Sequence, residues 1–318
     1  MPKVSVIVPI FRAEKHIERC ARSLFGQTLD DIEYIFVDDF SPDNSMSILS
    51  SVIAKYPQKE KNIIKLKNDV NRGVLQTRLR GIQEAHGDYI IHCDADDWVD
   101  STMYEHLYNK AIIEDADIVW CGFYKSYGSV SKEVKQNGTD APIHDILLSK
   151  KQGALWNHLV RQEIVRNTSI ISPKQNMAED MTLLLQYFFL SKKWSYINEP
   201  LYYYYQNTNS VSSGETNEKI IFQAQQMADN VDIFTEFLHQ SGKSNKWRKE
   251  LVYRKFFNKR WLLPAVDSVN HCRYWLDCHR DINFSLFINP YISQYEKIIS
   301  LLVELRLYPM LRKIIKGR

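Results

Sequence analysis

Residues 4–124 alternate short β-rich runs with helical patterns, and this alternation constrains the fold more than any other feature of the chain. VSVIVPIF (4–11) reads as a strand. Ile17, Cys20, Ala21 and Leu24 then recur at i, i+3, i+4 and i+7, the spacing of a helix with one apolar face. EYIFVDDF (33–40) is a second strand, and SMSILSSVIAKY (45–56) a helix that stops before Pro57, because proline disfavours helical backbone in the residue preceding it. NIIKLKN (62–68), a helix through GVLQTRLRGIQEAH, DYIIHCD, a helix over 101–114 and DIVWCGFY (117–124) continue the rhythm. Parallel strands need long crossovers, so the alternation predicts an α/β fold: a Rossmann-like, mainly parallel sheet flanked by helices. In such sheets ligands sit outside the carboxyl ends of the strands. Two acidic clusters fall at such ends, Asp38–Asp39 and Asp94–Asp96–Asp97.

Beyond this region the pattern changes. Residues 126–153 are polar and fit a hairpin or a mobile loop; short helices and a Tyr-rich strand, WSYINEPLYYYYQ, continue the first domain to 214. Residues 215–318 read as a helical region. Ile220, Ala224, Met227, Val231, Phe234 and Leu238 form one apolar stripe, and Ile298, Leu301, Leu302 and Leu305 another, both expected to be core seams. Net charge is +3 but unevenly placed: residues 241–318 hold 16 Lys and Arg against 6 Asp and Glu, leaving 25 basic against 32 acidic groups in the rest. A basic segment of this kind suits an anionic membrane surface and equally a solvated helical face; YPMLRKIIKGR, mixing apolar and basic residues, is the piece expected to lie on lipid. The long helical region also offers a surface for pairing into a homo-oligomer. Nothing points to nucleic acid.

The five cysteines show no metal-binding spacing, and Cys20, Cys93 and Cys121 lie in apolar segments, as reduced buried thiols do. A strand pattern begins at Val4 without a basic-then-apolar leader, and MTLLLQYFFL (181–190) is too short to cross a membrane. A cytoplasmic protein is expected, in peripheral contact with the inner face of the membrane.

Three carboxylates within the four positions 94–97 repel one another, and each loses hydration if the strand end is covered. A solvated turn, or a helix cap from Asp100 or Ser101, accounts for such acids; so does a bound Mg²⁺ or Mn²⁺, which takes one or two protein carboxylates and fills its shell with water and phosphate oxygens.

VSVIVPIFRAEKHI, VDDFSPDNS, NRGVLQTRLRGI and CDADDWVD, in this order and spacing, resemble the inverting family 2 glycosyltransferases of the GT-A fold. The likeness is close over residues 3–100 and looser through WNHLVRQEI, AEDM and PLYYYYQNTNSVS, to about residue 213. It implies a nucleotide-sugar donor, with UDP the expected nucleotide, a glycan or lipid-linked acceptor, a divalent metal (Mn²⁺ or Mg²⁺) and a place in bacterial surface polysaccharide synthesis. Position by position it implies that Pro9 and Phe11 lie against the base, that Asp39 bonds the base, and that Asn71 and Arg78 face the donor. Asp94 would reach the ribose or donor sugar, Asp96 would hold the metal, and Asp180 would activate the acceptor, with Glu179 beside it. Trp156 is either a sugar-stacking ring or a buried aromatic, and Trp98, His92 and His158 read as structural. The sequence departs from the family pattern at Phe11-Arg12 (for Tyr-Asn), at Leu79 (for Asn) and at Phe40, where a small residue is usual and a different backbone course is expected. A histidine near the end of the Tyr-rich strand is also missing, with Asn207 or Asn209 as weak substitutes.

Two other readings compete. A nucleotidyltransferase would show a Gly-rich basic loop after the first strand, and PIFRAEKHI has no glycine; the G-x-G-x-x-G of a Rossmann oxidoreductase is absent there too. A GT-A-fold protein that has lost catalysis and binds a glycan or partner keeps the same acids for another purpose.

Overall fold

The computed structural model describes residues 1–128, 130–206 and 216–316, without the side chains of 313–316. The chain divides into two compact units. The first takes Met1–Asp140, Gln152–Ile170 and the described residues from Leu184 to Gln206; the second takes Ala141–Lys151, Ile171–Leu183 and the described residues from Thr216 on. Residues 141–151 and 171–183, which the sequence reading keeps in the domain 1–214, therefore lie in the second unit.

In the first unit β1 (Val4–Ile10), α1 (Ile17–Phe25), β2 (Ile32–Asp38), α2 (Ser45–Ile53), β3 (Ile63–Lys67), α3 (Val74–Glu84) and β4 (Tyr89–His92) follow the expected alternation. Then come β5 (Trp98–Val99), α4 (Met103–Glu114), β6 (Ile118–Tyr127) and β7 (Val130–Val134). After α5 (Pro142–Leu147), which belongs to the second unit, the chain returns as β8 (His158–Arg161) and α6 (Gln162–Val165). Helix α7 (Glu179–Leu190) is shared, its first residues with the second unit, and β9 (Trp194–Tyr205) ends the sheet.

The strand order is β3-β2-β1-β4-β8-β6-β9-β5, with β7 hydrogen-bonded to β6. Strands β3, β2, β1 and β4 run parallel, as the crossovers demand; β8 is antiparallel to both its neighbours, and β6 and β9 are parallel. Every residue of β2 and all but Pro9 of β1 are buried, which is why these runs are mostly apolar rather than alternating. Gly87 precedes β4 at a point where a Cβ would come within 2.6 Å of the Ser5 backbone nitrogen, so only glycine lets β4 close on β1. The polar stretch 126–153 is partly a hairpin (β6–β7) and partly α5, a short helix the sequence reading lacks.

The second unit is helical: α8 (Asn217–Gln240), α9 (Arg248–Leu262), α10 (Cys272–Asp277), α11 (Ser285–Ile288), α12 (Gln294–Glu304) and α13 (Tyr308–Lys316). The α8 stripe from Ile220 to Leu238 is buried. The α12 stripe is not a core seam. Ile298 and Leu305 are each 58% exposed and Leu301 46%, while Ser300 and Val303 face inward; periodicity reveals a stripe but not the direction it faces. No described helix is long and apolar enough to cross a membrane.

Candidate active site

The first acidic strand end is closed by its own chain. Asp39, just past β2, is 3% exposed. Its Oδ1 accepts hydrogen bonds from Asn68 Nδ2 (2.8 Å) and the Arg72 N–H (2.8 Å), and its Oδ2 from the Gly73 N–H (2.9 Å). Asn71 Nδ2 reaches the Asp39 carbonyl at 3.4 Å. Gly73 has φ +83°, open to glycine at no steric cost, and α3 begins at the next residue, so Asp39 fixes the turn that launches α3. The carboxylate expected to bond a base is thus engaged by three donors of its own chain, with spare acceptor capacity on Oδ2 alone. Asp38 accepts the Ser41 N–H at 2.8 Å. Asp43 takes Ser41 Oγ, Ser45 Oγ and the Glu14 N–H, tying the β1–α1 loop to the start of α2. Burial pushes its carboxyl up, but hydrogen bonds from Ser45, Ser41 and the Glu14 backbone outweigh that and hold it at about 2.

Phe11 and Phe40 stand at the adjoining ends of β1 and β2, 42% and 52% exposed. Pro9 is half-buried. Phe40 has φ +57°, the left-handed region that glycine prefers, so the side chain expected to redirect the backbone is accommodated there at a steric cost instead.

The second acidic strand end is different. Arg78, buried on α3, donates from Nη2 to Asp94 Oδ1 at 2.6 Å, joining two residues whose roles the resemblance assigns separately. Arg19 donates to the Asp96 carbonyl (2.9 Å) and lies over the Trp98 ring, 3.6 Å from its centroid. Trp98 is half-buried and also stacks on Tyr203. The Tyr202 hydroxyl accepts from the Asp94 N–H (3.1 Å) and donates to Asp97 Oδ2 (2.6 Å), and the Tyr205 N–H donates to Asp97 Oδ1 (2.7 Å). Strand β9 therefore fixes the Asp94–Asp97 turn from the far side of the sequence. Burial, then the adjacent Asp94 charge, pushes the Asp96 carboxyl up to about 6; burial, then Asp96 and Asp94, raises Asp97 well above the usual carboxylate range. His92, buried beside Arg78, is held neutral by burial first and that guanidinium second.

Among the described residues no three His, Cys, Asp or Glu are grouped to hold a metal ion. A hard cation needs fewer. Asp96 is a carboxyl whose ionised form burial and the nearby Asp94 charge disfavour, and a divalent ion is the partner that would reverse this; Mg²⁺ or Mn²⁺ suits it, with Asp96 as the carboxylate ligand. Asn207 and Asn209 lie outside the described residues.

Trp156 is in the core, 4% exposed and stacked on Tyr202 (4.3 Å between centroids) and Tyr204, with Phe123 edge-on. Its burial removes it as a sugar contact. Within the second unit, Glu179 is buried and Asp180 follows in the first turn of α7, where carboxylates complement the helix dipole. Burial lowers the Arg254 guanidinium to about 10, the Asp180 charge opposing that shift, and Arg254 Nη1 donates to Ser149 Oγ. Arg19, Asn68, Tyr202 and Tyr205 are absent from the sequence reading; each makes its contact 29 or more residues away in the chain, and only the Tyr-rich character of β9 signals any of them.

The family model described as "Glycosyl transferase family 2" matches residues 5–176. The chain belongs to that family. A cholesterol galactosyltransferase from Borreliella burgdorferi is 29% identical over 325 residues, 96% of this chain and 83% of that protein. EpsJ of Bacillus subtilis, an uncharacterized glycosyltransferase, is 32% identical over 223 residues; these are 67% of this chain and 63% of EpsJ, under two thirds of its length. Among solved structures, S. aureus TarS 1-349 in complex with UDP-GlcNAc superposes with a TM-score of 0.62 at 17% identity, covering 99% of this chain and 92% of that one. The mannosyltransferase PcManGT from Pyrobaculum calidifontis, with GDP-Man and Mn²⁺, gives 0.56 at 13% identity over 100% of this chain and 88% of that one. These structural likenesses show the fold, GT-A; the family match and the named relatives make this family 2 chain a glycosyltransferase.

Proposed function

We propose that this glycosyltransferase moves a sugar from a UDP-linked donor to a hydroxyl of a glycan or lipid-linked acceptor, with inversion at the anomeric carbon, in bacterial surface glycan synthesis. The observation that carries the reading is the Arg78–Asp94 pair beside Asp96 at the end of β4. A buried guanidinium held at 2.6 Å from one carboxylate oxygen sets a fixed positive charge at this strand end, which suits a diphosphate leaving group. TarS with UDP-GlcNAc and PcManGT with GDP-Man lend support, both carrying nucleotide sugars on this fold.

In this reading Phe11 and Phe40 offer ring faces to the base, Pro9 shapes the floor beneath it, and Asn71 is held at the rim by the Asp39 turn. Asp39 acts chiefly by positioning residues 71–73, with Oδ2 free for one further donor. Asp94 orients Arg78 and faces the ribose or donor sugar. A divalent ion held by Asp96 would supply positive charge to the diphosphate as it departs. Asp180 takes the proton as the acceptor oxygen bonds the anomeric carbon; the bond from that carbon to the phosphate oxygen breaks, its electrons leave with UDP, and one displacement inverts the centre. Glu179 supports the same helix start.

Incubating the protein with UDP- and GDP-sugars, Mn²⁺ and candidate acceptors, and following released nucleotide, tests this. Release from a UDP-sugar that falls about 10²–10⁴-fold in Asp180→Asn, with UDP binding retained, is the expected result. Binding of UDP without release from any sugar would replace the reading with that of a non-catalytic glycan- or partner-binding protein.

A further inference from the structure

We infer that the outward face of α12, with the start of α13, docks on an anionic lipid surface. A surface helix normally turns its polar side to water; α12 does the reverse. Ser300 and Val303 point inward, and Glu296 is occupied by Arg260 Nη1 at 2.9 Å and by its own cap residue, Ser293. Ile298, Leu301, Leu302 and Leu305 recur at three- and four-residue spacing on the opposite side, and no charged residue falls within that stripe. Leu307 (48% exposed) and Met310 (66%) prolong the apolar surface past the helix end. Lys297, Arg306 and Arg312 flank it in sequence, and the surrounding stretch, residues 241–318, carries 16 basic against 6 acidic groups.

Charge selects the occupant. Residues 294–318 hold six basic groups against Glu296 and Glu304, so a second copy docking α12 against α12 would bring two such net-cationic segments together, and the repulsion would oppose the burial. An anionic bilayer accepts both features at once: the apolar stripe sinks to the boundary between headgroups and acyl chains, and the flanking cations meet lipid phosphates. The inference is independent of the donor chemistry.

The test is co-sedimentation of the full chain with phosphatidylcholine vesicles, with and without phosphatidylglycerol. Expected are binding to the anionic vesicles, its weakening by added salt, and a loss of about tenfold or more in affinity in the Ile298→Ser/Leu305→Ser double variant. Both positions are exposed, so the double variant should keep the wild-type melting temperature; Leu301→Gln is the replacement if it does not. Equal binding by wild type and variant would show adsorption through charge alone and overturn the inference. So would absence of binding to either vesicle, or a solution dimer that Leu301→Gln converts to monomer without altering vesicle binding.

Discussion

The two acidic strand ends of the sheet have similar sequences and opposite electrostatics. After β2, the carboxylates are covered by donors of their own chain, and Asp43 is held near 2 by hydroxyl and amide hydrogen bonds that outweigh its burial. After β4, burial and mutual repulsion dominate, and Asp96 sits near 6. The first end serves as a joint between loops. At the second, Arg78 already pairs with Asp94, and Asp96 is the carboxyl whose ionised form burial and that neighbouring carboxylate disfavour. An acidic motif therefore identifies a ligand site only after its internal hydrogen bonds have been counted.

The largest effect that would sharpen this contrast is on donor binding. Asp96→Ala should weaken Mn²⁺-dependent UDP binding about 100-fold or more in calorimetry, whereas Asp43→Ala should leave it within a few-fold. Equal losses in both would erase the distinction.

Stability should show the reverse pattern. Asp39→Ala strands the buried Asn68 amide and the part-buried N–H groups of Arg72 and Gly73 and should cost about 2–4 kcal/mol in denaturant unfolding. Asp96→Asn, which removes a disfavoured charge, should raise metal-free stability near neutral pH by about 1–2 kcal/mol, allowing for its partial exposure.

The pH dependences carry opposite signs. Asp96 has a folded value above its unfolded one, so its contribution is fully present below about 3.8 and is lost as pH rises through about 6. Asp43 is depressed: its contribution is present above about 3.8 and is lost as pH falls through about 2. Metal-free protein should accordingly lose stability between about pH 4 and 6 by an amount that Asp96→Asn removes, and added Mn²⁺ should bind more tightly as pH rises through that window. A flat profile in the wild type would place Asp96 in an ordinary solvated turn. Smallest of all, Trp156→Phe should leave the donor KM unchanged while lowering the melting temperature by several degrees, as removal of a buried ring does.

The parallel half of the sheet was legible because crossover helices and fully buried strands leave strong periodic signals, and the ordered acidic motifs carried the family resemblance. What stayed hidden depends on contacts between distant residues. The partners that hold Asp39 (Asn68 and the 72–73 amides) are 29–34 residues away and leave no trace in VDDFSPDNS. The Asp94–Arg78 pair and the Tyr202 bridge across Asp94 and Asp97 are likewise tertiary facts. Strand β8 and helix α5 were missed because four- and six-residue elements are too short to show a period. The α12 stripe was visible, but its orientation follows from what packs beneath it.

Phe40 has a practical consequence for anyone engineering this chain. A bulky side chain in a left-handed conformation is a standing invitation to stabilise the protein by substituting glycine, since relief of crowding at such a position is worth about 1 kcal/mol. In the proposed reading, the same exchange would also strip away an aromatic face offered to the base. Heat tolerance gained there should come at the expense of nucleotide affinity, so position 40 is a dial with two scales rather than a flaw awaiting repair.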